Sequence, residues 1–188
     1  MSKPVLTEKD YKDAAKMLDA EVAAIKAVAE IESAGNGFLQ SGEPKLLFER
    51  HIFSKRTGGL FDGSHPNVSN RVPGGYGTAG NQHKRLQEAV TLNRDAALMS
   101  ASWGKFQIMG FNYALAGFNT LQEFVNAMYR SEREHLLAFV NYIKNVSLDD
   151  ELREHRWADF ARKYNGPEYR KNKYDTKLKG AYNKFAVV

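Results

Sequence analysis

The 188-residue chain has no cysteine, which excludes a disulfide framework and a thiol nucleophile and leaves the fold to stand on its core. No apolar run approaches the roughly 18–20 residues that a membrane-spanning helix needs. The opening residues Met1-Ser2-Lys3-Pro4 lead into the charged segment Glu8-Lys9-Asp10 and lack the apolar stretch of a secretory signal. The expectation is synthesis in the cytoplasm, with any export left to another agent. Also missing are an H-E-x-x-H sequence and any short His-x-His pair: His51, His65, His83, His135 and His155 are spaced too loosely for a zinc site. Gly58-Gly59 and Gly74-Gly75-Tyr76-Gly77 lack the Gly-Lys-Ser/Thr ending of a phosphate loop and read as flexible turns. The spacings therefore predict neither a metal site nor a phosphate-binding loop.

What is present describes a folded globule. Apolar residues make up 43% of the chain and aromatics 12%, more than a disordered chain carries. With no linker and no internal repeat, the simplest division is one domain over 1–188, large enough to bury roughly 70% of its unfolded surface. Net charge is +5, unevenly placed. From Ala161 onward eight Lys or Arg stand against Glu168 and Asp175, so that end carries +6 and the rest about −1. The asymmetry points to an anionic partner for the C-terminal end: nucleic acid, lipid headgroups or an acidic wall polymer.

Periodicity predicts a mainly α protein. Thr7 caps a first helix with Tyr11, Ala14, Met17 and Leu18 inward, and Asp19 caps a second from Glu21 to about Ser33. Gly35 and Gly37 suit a left-handed stop. Between Phe38 and Gly80, Gly and Pro are dense and surround the apolar island Leu46–Phe53, which predicts loops and at most a small hairpin. Helices resume at Gln82–Asn93 and Arg94 to about Ser100, with a short one at Phe111–Ala116. Thr120 and Glu123 form a capping box for a long helix running to Lys144. Asp149–Glu154, Trp157–Tyr164 and a basic amphipathic helix at about 169–185 complete the chain. Tyr174, Leu178, Ala181, Tyr182 and Phe185 share its apolar side, an arrangement suited either to packing or to an anionic surface.

The chemistry concentrates at Glu32. Ile25, Val28 and Ala29 stand seven, four and three residues before it, so all four share one helical face. Glu30 lies four residues after Lys26 and reads as a solvated pair. A carboxyl that continues an apolar stripe to a helix C-terminus is desolvated and meets partial negative charge, and both raise its pKa. That is what a general acid working near neutrality requires. Periodicity alone leaves open the alternative, a terminal residue reaching water past the last turn.

Three strings carry a family resemblance. Glu32-Ser33-Ala34-Gly35 resembles the acid-bearing motif of goose-type lysozymes and soluble lytic transglycosylases. Ser102–Gly110 resembles the second motif of that superfamily, and Tyr164-Asn165-Gly166 the third, in the expected order. Ile31–Phe38, Leu47–Phe53 and Ala101–Gly110 are similar to bacteriophage N-acetylmuramidase endolysins, a likeness running from about Glu21 to Tyr182. The resemblance implies a lysozyme-like fold, a helical bundle with a small irregular or β-hairpin insertion lining a glycan cleft. It implies hydrolysis of the β-1,4 bond between N-acetylmuramic acid and N-acetylglucosamine in peptidoglycan by a cofactor-free monomer that binds no nucleic acid.

On that reading Glu32 is the general acid and Glu49, in the Leu-Phe-Glu-Arg-His string, the favoured second carboxylate, ahead of Asp62. Gln107, Tyr164, Asn165, Tyr76, His51 and Trp103 are the candidate substrate-binding residues, with Tyr164 also placed to bond Glu32 and His51 to orient a carboxylate. Ser33 and Ser102 read as positional. The protein would reach the periplasmic wall from the host cytoplasm through a holin, its basic end touching outer-membrane phosphates. A lytic transglycosylase, and a non-catalytic wall-binding module, are the alternatives.

Overall fold

The computed structural model describes residues 3–33 and 35–187. The first half runs α1 (Glu8–Leu18), α2 (Val22–Ser33), β1 (Leu46–Phe48), α3 (Arg50–Arg56), α4 (Gln82–Leu92) and α5 (Arg94–Met99). Then come β2 (Ala101–Trp103), β3 (Ile108–Met109), α6 (Leu121–Arg130), α7 (Glu132–Asn145), α8 (Asp149–Arg153), α9 (Trp157–Asn165) and α10 (Tyr174–Ala186). This is the mainly helical architecture with a small sheet that the sequence predicts.

Capping starts α1 as expected: Thr7 Oγ1 accepts from Asp10 N, and Asp10 Oδ2 from Thr7 N at 2.9 Å. Asp19 belongs to this helix rather than the next. At φ 51° it is the left-handed stop of α1, and Met17, expected inward, is 40% exposed. α2 is apolar almost all round and is accordingly buried. Ala24, Ile25, Ala27, Val28 and Ala29 are at most 1% exposed, with α1 and α10 packed against the helix. Burying Ile25 or Val28 contributes about 1.5–3 kcal/mol each.

The island at Leu46–Phe53 divides differently from the expected hairpin. β1 takes Leu46–Phe48, and the remainder enters α3. The partners of β1 come from far down the chain: it pairs antiparallel with β2, Leu46 opposite Trp103 and Phe48 opposite Ala101. β2 in turn pairs with β3, Trp103 opposite Ile108. Phe48, Phe53, Trp103 and Phe106 are at most 1% exposed and tie the sheet into the helical core. Phe111–Ala116 is not a helix; a 3-10 turn occupies Gly110–Asn112. At Gly110 a Cβ would lie 2.1 Å from the Leu98 carbonyl oxygen, which only glycine avoids.

The long helix expected from Thr120 to Lys144 is broken at Ser131, which is extended and caps α7 through a bond from Glu134 N. The last helix begins at Tyr174 rather than Tyr169, because Lys173 turns left-handed at φ 54°. Leu178 and Ala181 of α10 are buried and its apolar side lies on α2, leaving lysines outward. No helix among the described residues is long and apolar enough to cross a membrane.

Candidate active site

Glu32 stands in the last turn of α2 and opens into a cleft of about 390 Å³. Leu39, Leu46, Leu47 and Ala79 supply apolar lining, and Lys45, Gln82, Gln107 and Tyr76 supply polar atoms. The predicted stripe is in place: Ile25, Val28 and Ala29 are fully buried behind the carboxyl. Glu30 is exposed, as expected of a solvated residue, but its partner is Lys184 at 2.7 Å, while Lys26 reaches Glu8 at 2.6 Å.

Burial pushes the Glu32 pKa up to about 7, against the opposing effect of a hydrogen bond that Asn165 Nδ2 donates to Oε1 at 2.8 Å. Desolvation wins because the anion loses most of its water and recovers one side-chain donor among the described residues. At neutral pH a large share of Glu32 is therefore protonated, the state from which it can give a proton to a departing oxygen. The Oδ1 of Asn165 is buried without a hydrogen-bond partner among the described residues. Ala34 and the side chain of Ser33, both in the first motif, lie outside the described part.

Gln107, Tyr76 and Asn165 gather around the cleft with Glu32. The Gln107 amide is largely spoken for, accepting from Ser102 Oγ at 2.8 Å and donating to the Gly104 carbonyl at 2.9 Å. One N–H and one lone pair remain for a sugar. Tyr164 lies against Phe160 and Phe139, and its hydroxyl donates to the Phe106 carbonyl at 2.8 Å rather than to Glu32. Its pKa is raised well above the usual value by burial, with the Glu32 charge a lesser cause.

Glu49 does not line the cleft; it stands behind Tyr76, whose hydroxyl donates to Oε1 at 3.3 Å. His51 Nδ1 lies 3.2 Å from its Oε2 without forming a hydrogen bond, and His51 is not a wall of the cleft. Trp103 is corrected outright. At 1% exposure, with its indole N–H donating to the Leu98 carbonyl at 3.1 Å, it is core and offers no face to a sugar. Asp62 accepts from Ser54 and Ser69 at 3.0 and 2.6 Å and ties down its own loop, which lowers its pKa.

Sequence reasoning missed the residues that hold the cleft together. Arg85 of α4 donates to the carbonyls of Phe48, Tyr76 and Asn67, and Gln82 accepts from Phe48 N while donating to the Tyr76 and Thr78 carbonyls. Their place shows only in the fold: Gln82, His83 and Arg85 share the buried part of α4 with Leu86 and Ala89, and buried polar side chains are there to make bonds. The buried Lys105–Glu132 pair was missed too. The Ser131-x-x-Glu134 capping signature marked the helix break that turns Glu132 inward.

A family model described as N-acetylmuramidase matches residues 21–186. The fold matches the crystal structure of the Burkholderia AP3 phage endolysin with a TM-score of 0.92 and 38% identity, over 100% of this chain and 74% of that one. Among curated proteins none matches. With a family match over nearly its whole length, the chain belongs to the N-acetylmuramidase family of glycoside hydrolases.

Proposed function

We propose that the chain is a phage endolysin that hydrolyses the β-1,4 bond between N-acetylmuramic acid and N-acetylglucosamine in peptidoglycan, with Glu32 as general acid. The observation that carries this is one carboxyl, facing the cleft and brought by burial to a pKa of about 7. The family supports the substrate class, and the 38% identical endolysin supports the phage setting. Glu32 protonates the glycosidic oxygen as the C1–O bond breaks, and water then adds at C1 and yields its proton to a base. Glu49 is the candidate base, with access through Tyr76; inverting enzymes hold such carboxyls roughly 6.5–9.5 Å apart.

A second reading has its own support. Glu32 is the one carboxylate that lines the cleft among the described residues. A lytic transglycosylase closes the muramic acid's own 6-hydroxyl onto C1 and needs no second carboxylate. Product analysis of digested sacculi by mass spectrometry separates the two, since 1,6-anhydro ends form only by transglycosylation. Glu32→Gln is expected to lower the rate by about 10²–10⁴-fold; wild-type clearing by this variant would sink the acid assignment. Glu49→Gln cripples an inverting hydrolase and spares a transglycosylase. A non-catalytic wall-binding module would bind sacculi without clearing them.

The proposed enzyme acts as a monomer, without cofactor, and reaches the wall from the host cytoplasm through a holin. With the apolar side of α10 covered by α2, contact with an anionic outer membrane falls to the exposed Lys171, Lys173, Lys177 and Lys179.

A further inference from the structure

The turn that follows Glu32 is gripped from beneath by a buried ion pair drawn from two distant parts of the chain. Lys105, between β2 and β3, donates through Nζ to the Gly35 carbonyl and stands 3.4 Å from Glu132 Oε1. That same Oε1 accepts from Gly37 N at 2.6 Å, while Oε2 accepts from Leu6 N at 3.1 Å. The two side chains are 8% and 3% exposed. Beneath them, His135 accepts from Lys105 N at 3.0 Å and donates from Nε2 to the Met128 carbonyl at 2.8 Å, which assigns the neutral Nε2–H tautomer. Gly37 and Gly104 press on its ring so closely that a Cβ would come within 2.7 and 2.9 Å of a ring atom.

Stability alone does not call for such a pair. Two buried charges are costly to desolvate, and apolar side chains of similar volume usually serve a core as well or better. What apolar side chains cannot do is hold specific backbone groups. Here the cation ends on the carbonyl of Gly35 and the anion on the amide of Gly37, so the pair grips one turn at both ends. That turn starts three residues after Glu32.

We infer that Lys105 and Glu132 are positioning residues for the acid: by clamping the Gly35 carbonyl and the Gly37 amide they fix the end of α2, and with it the Glu32 carboxyl against its apolar wall and in line with the leaving oxygen. The inference rests on reading Glu32 as the general acid. A displacement of about 1 Å at a reacting group can cost a factor of about 100 in rate, and a loosened turn also admits water to the carboxyl.

The test is steady-state cleavage of soluble glycan-strand fragments across pH by wild type, Glu32→Gln, Lys105→Met and the charge-free double variant Lys105→Met/Glu132→Gln. Each is held below its unfolding temperature and checked by circular dichroism. The double variant leaves no lone buried charge; should it fail to fold, Lys105→Met, which retains both amide bonds to Glu132, carries the test. The expected result is a kcat lowered about 10- to 100-fold with KM changed less than about 3-fold, because the lost contacts act on the transition state rather than on binding. The alkaline limb of the rate profile also moves to lower pH, as a hydrated Glu32 ionises earlier. A merely structural role moves neither in the folded protein. If the folded variants keep the wild-type kcat and alkaline limb while Glu32→Gln is inactive, the clamp is overturned and the acid assignment stands. If Glu32→Gln itself cleaves normally, the acid assignment falls first and the clamp with it.

Discussion

The two stretches that line the cleft differ in how much apolar packing backs them. The end of α2 has Ile25, Val28 and Ala29 sealed behind Glu32, besides the polar clamp on the turn that follows. The Gly-rich segment on either side of Tyr76 has no such anchor, for none of residues 70–81 is buried. It is strung instead from polar side chains that reach its backbone: Arg50 to the Val72 carbonyl, Gln82 and Arg85 to that of Tyr76, and Gln82 to that of Thr78. The difference suits the two tasks that the proposed mechanism assigns. A general acid needs a dry, fixed surrounding, whereas the segment carrying Tyr76 gains from bonds that can be exchanged as a polymer enters, and segments held this way sit at the low end of local stability.

The change that breaks the contrast most strongly is Arg85→Ala. It strips a donor from three carbonyls at once and leaves the buried Phe48 carbonyl without its side-chain partner, while Tyr76 keeps Gln82. The expected loss is about 2–4 kcal/mol in urea unfolding, since a buried acceptor left unmade costs about 1–3 kcal/mol and such costs do not simply add. Amide exchange in residues 67–78 should accelerate before that of α2. Uniform acceleration in both would show that the two walls share one anchor after all.

The opposite wall is probed through its charge. Below pH 4.5 Glu32 is protonated in the folded and the unfolded chain and costs nothing. As pH rises the unfolded chain ionises first, so the folded state loses stability through the window from 4.5 to about 7. Glu32→Gln removes that loss. At pH 8 the variant should be more stable than wild type by up to about 3 kcal/mol, as a shift of roughly two pKa units or more implies, and equal to it at pH 4. Thermal unfolding at the two pH values measures this directly; identical curves at pH 8 would mean that Glu32 is hydrated and the wall is not dry.

Which parts of this could be read in advance follows the same divide. The stripe behind Glu32 and the caps at Thr7 and Thr120 are local patterns, and local patterns survive in sequence. The break at Ser131 did not, because Leu121–Met128 and Leu136–Ile143 continue one apolar side across it and outweighed the Ser131-x-x-Glu134 signature. The sheet was illegible for another reason: its strands are two or three residues long, and β1 finds its partner beyond three intervening α-helices and the whole Gly-rich segment. The residues around the acid divide likewise. Glu32 and Asn165 come from motifs, whereas Arg85, Gln82, Lys105 and Glu132 matter through what they touch, and no periodicity encodes a contact between distant elements.

Tyr164 gives the smallest and sharpest test of the comparison. The motif places it to bond the acid, but its hydroxyl donates to the Phe106 carbonyl while its ring stays packed on Phe160 and Phe139. Tyr164→Phe removes one hydrogen bond and keeps the ring, so the expected loss is about 1 kcal/mol of stability. Because no bond to Glu32 is lost, the alkaline limb of the rate profile should stay where it is. Should that limb move, the acid's proton would be held by a polar partner as well as by its apolar wall, and the two sides of the cleft would differ less than their packing indicates.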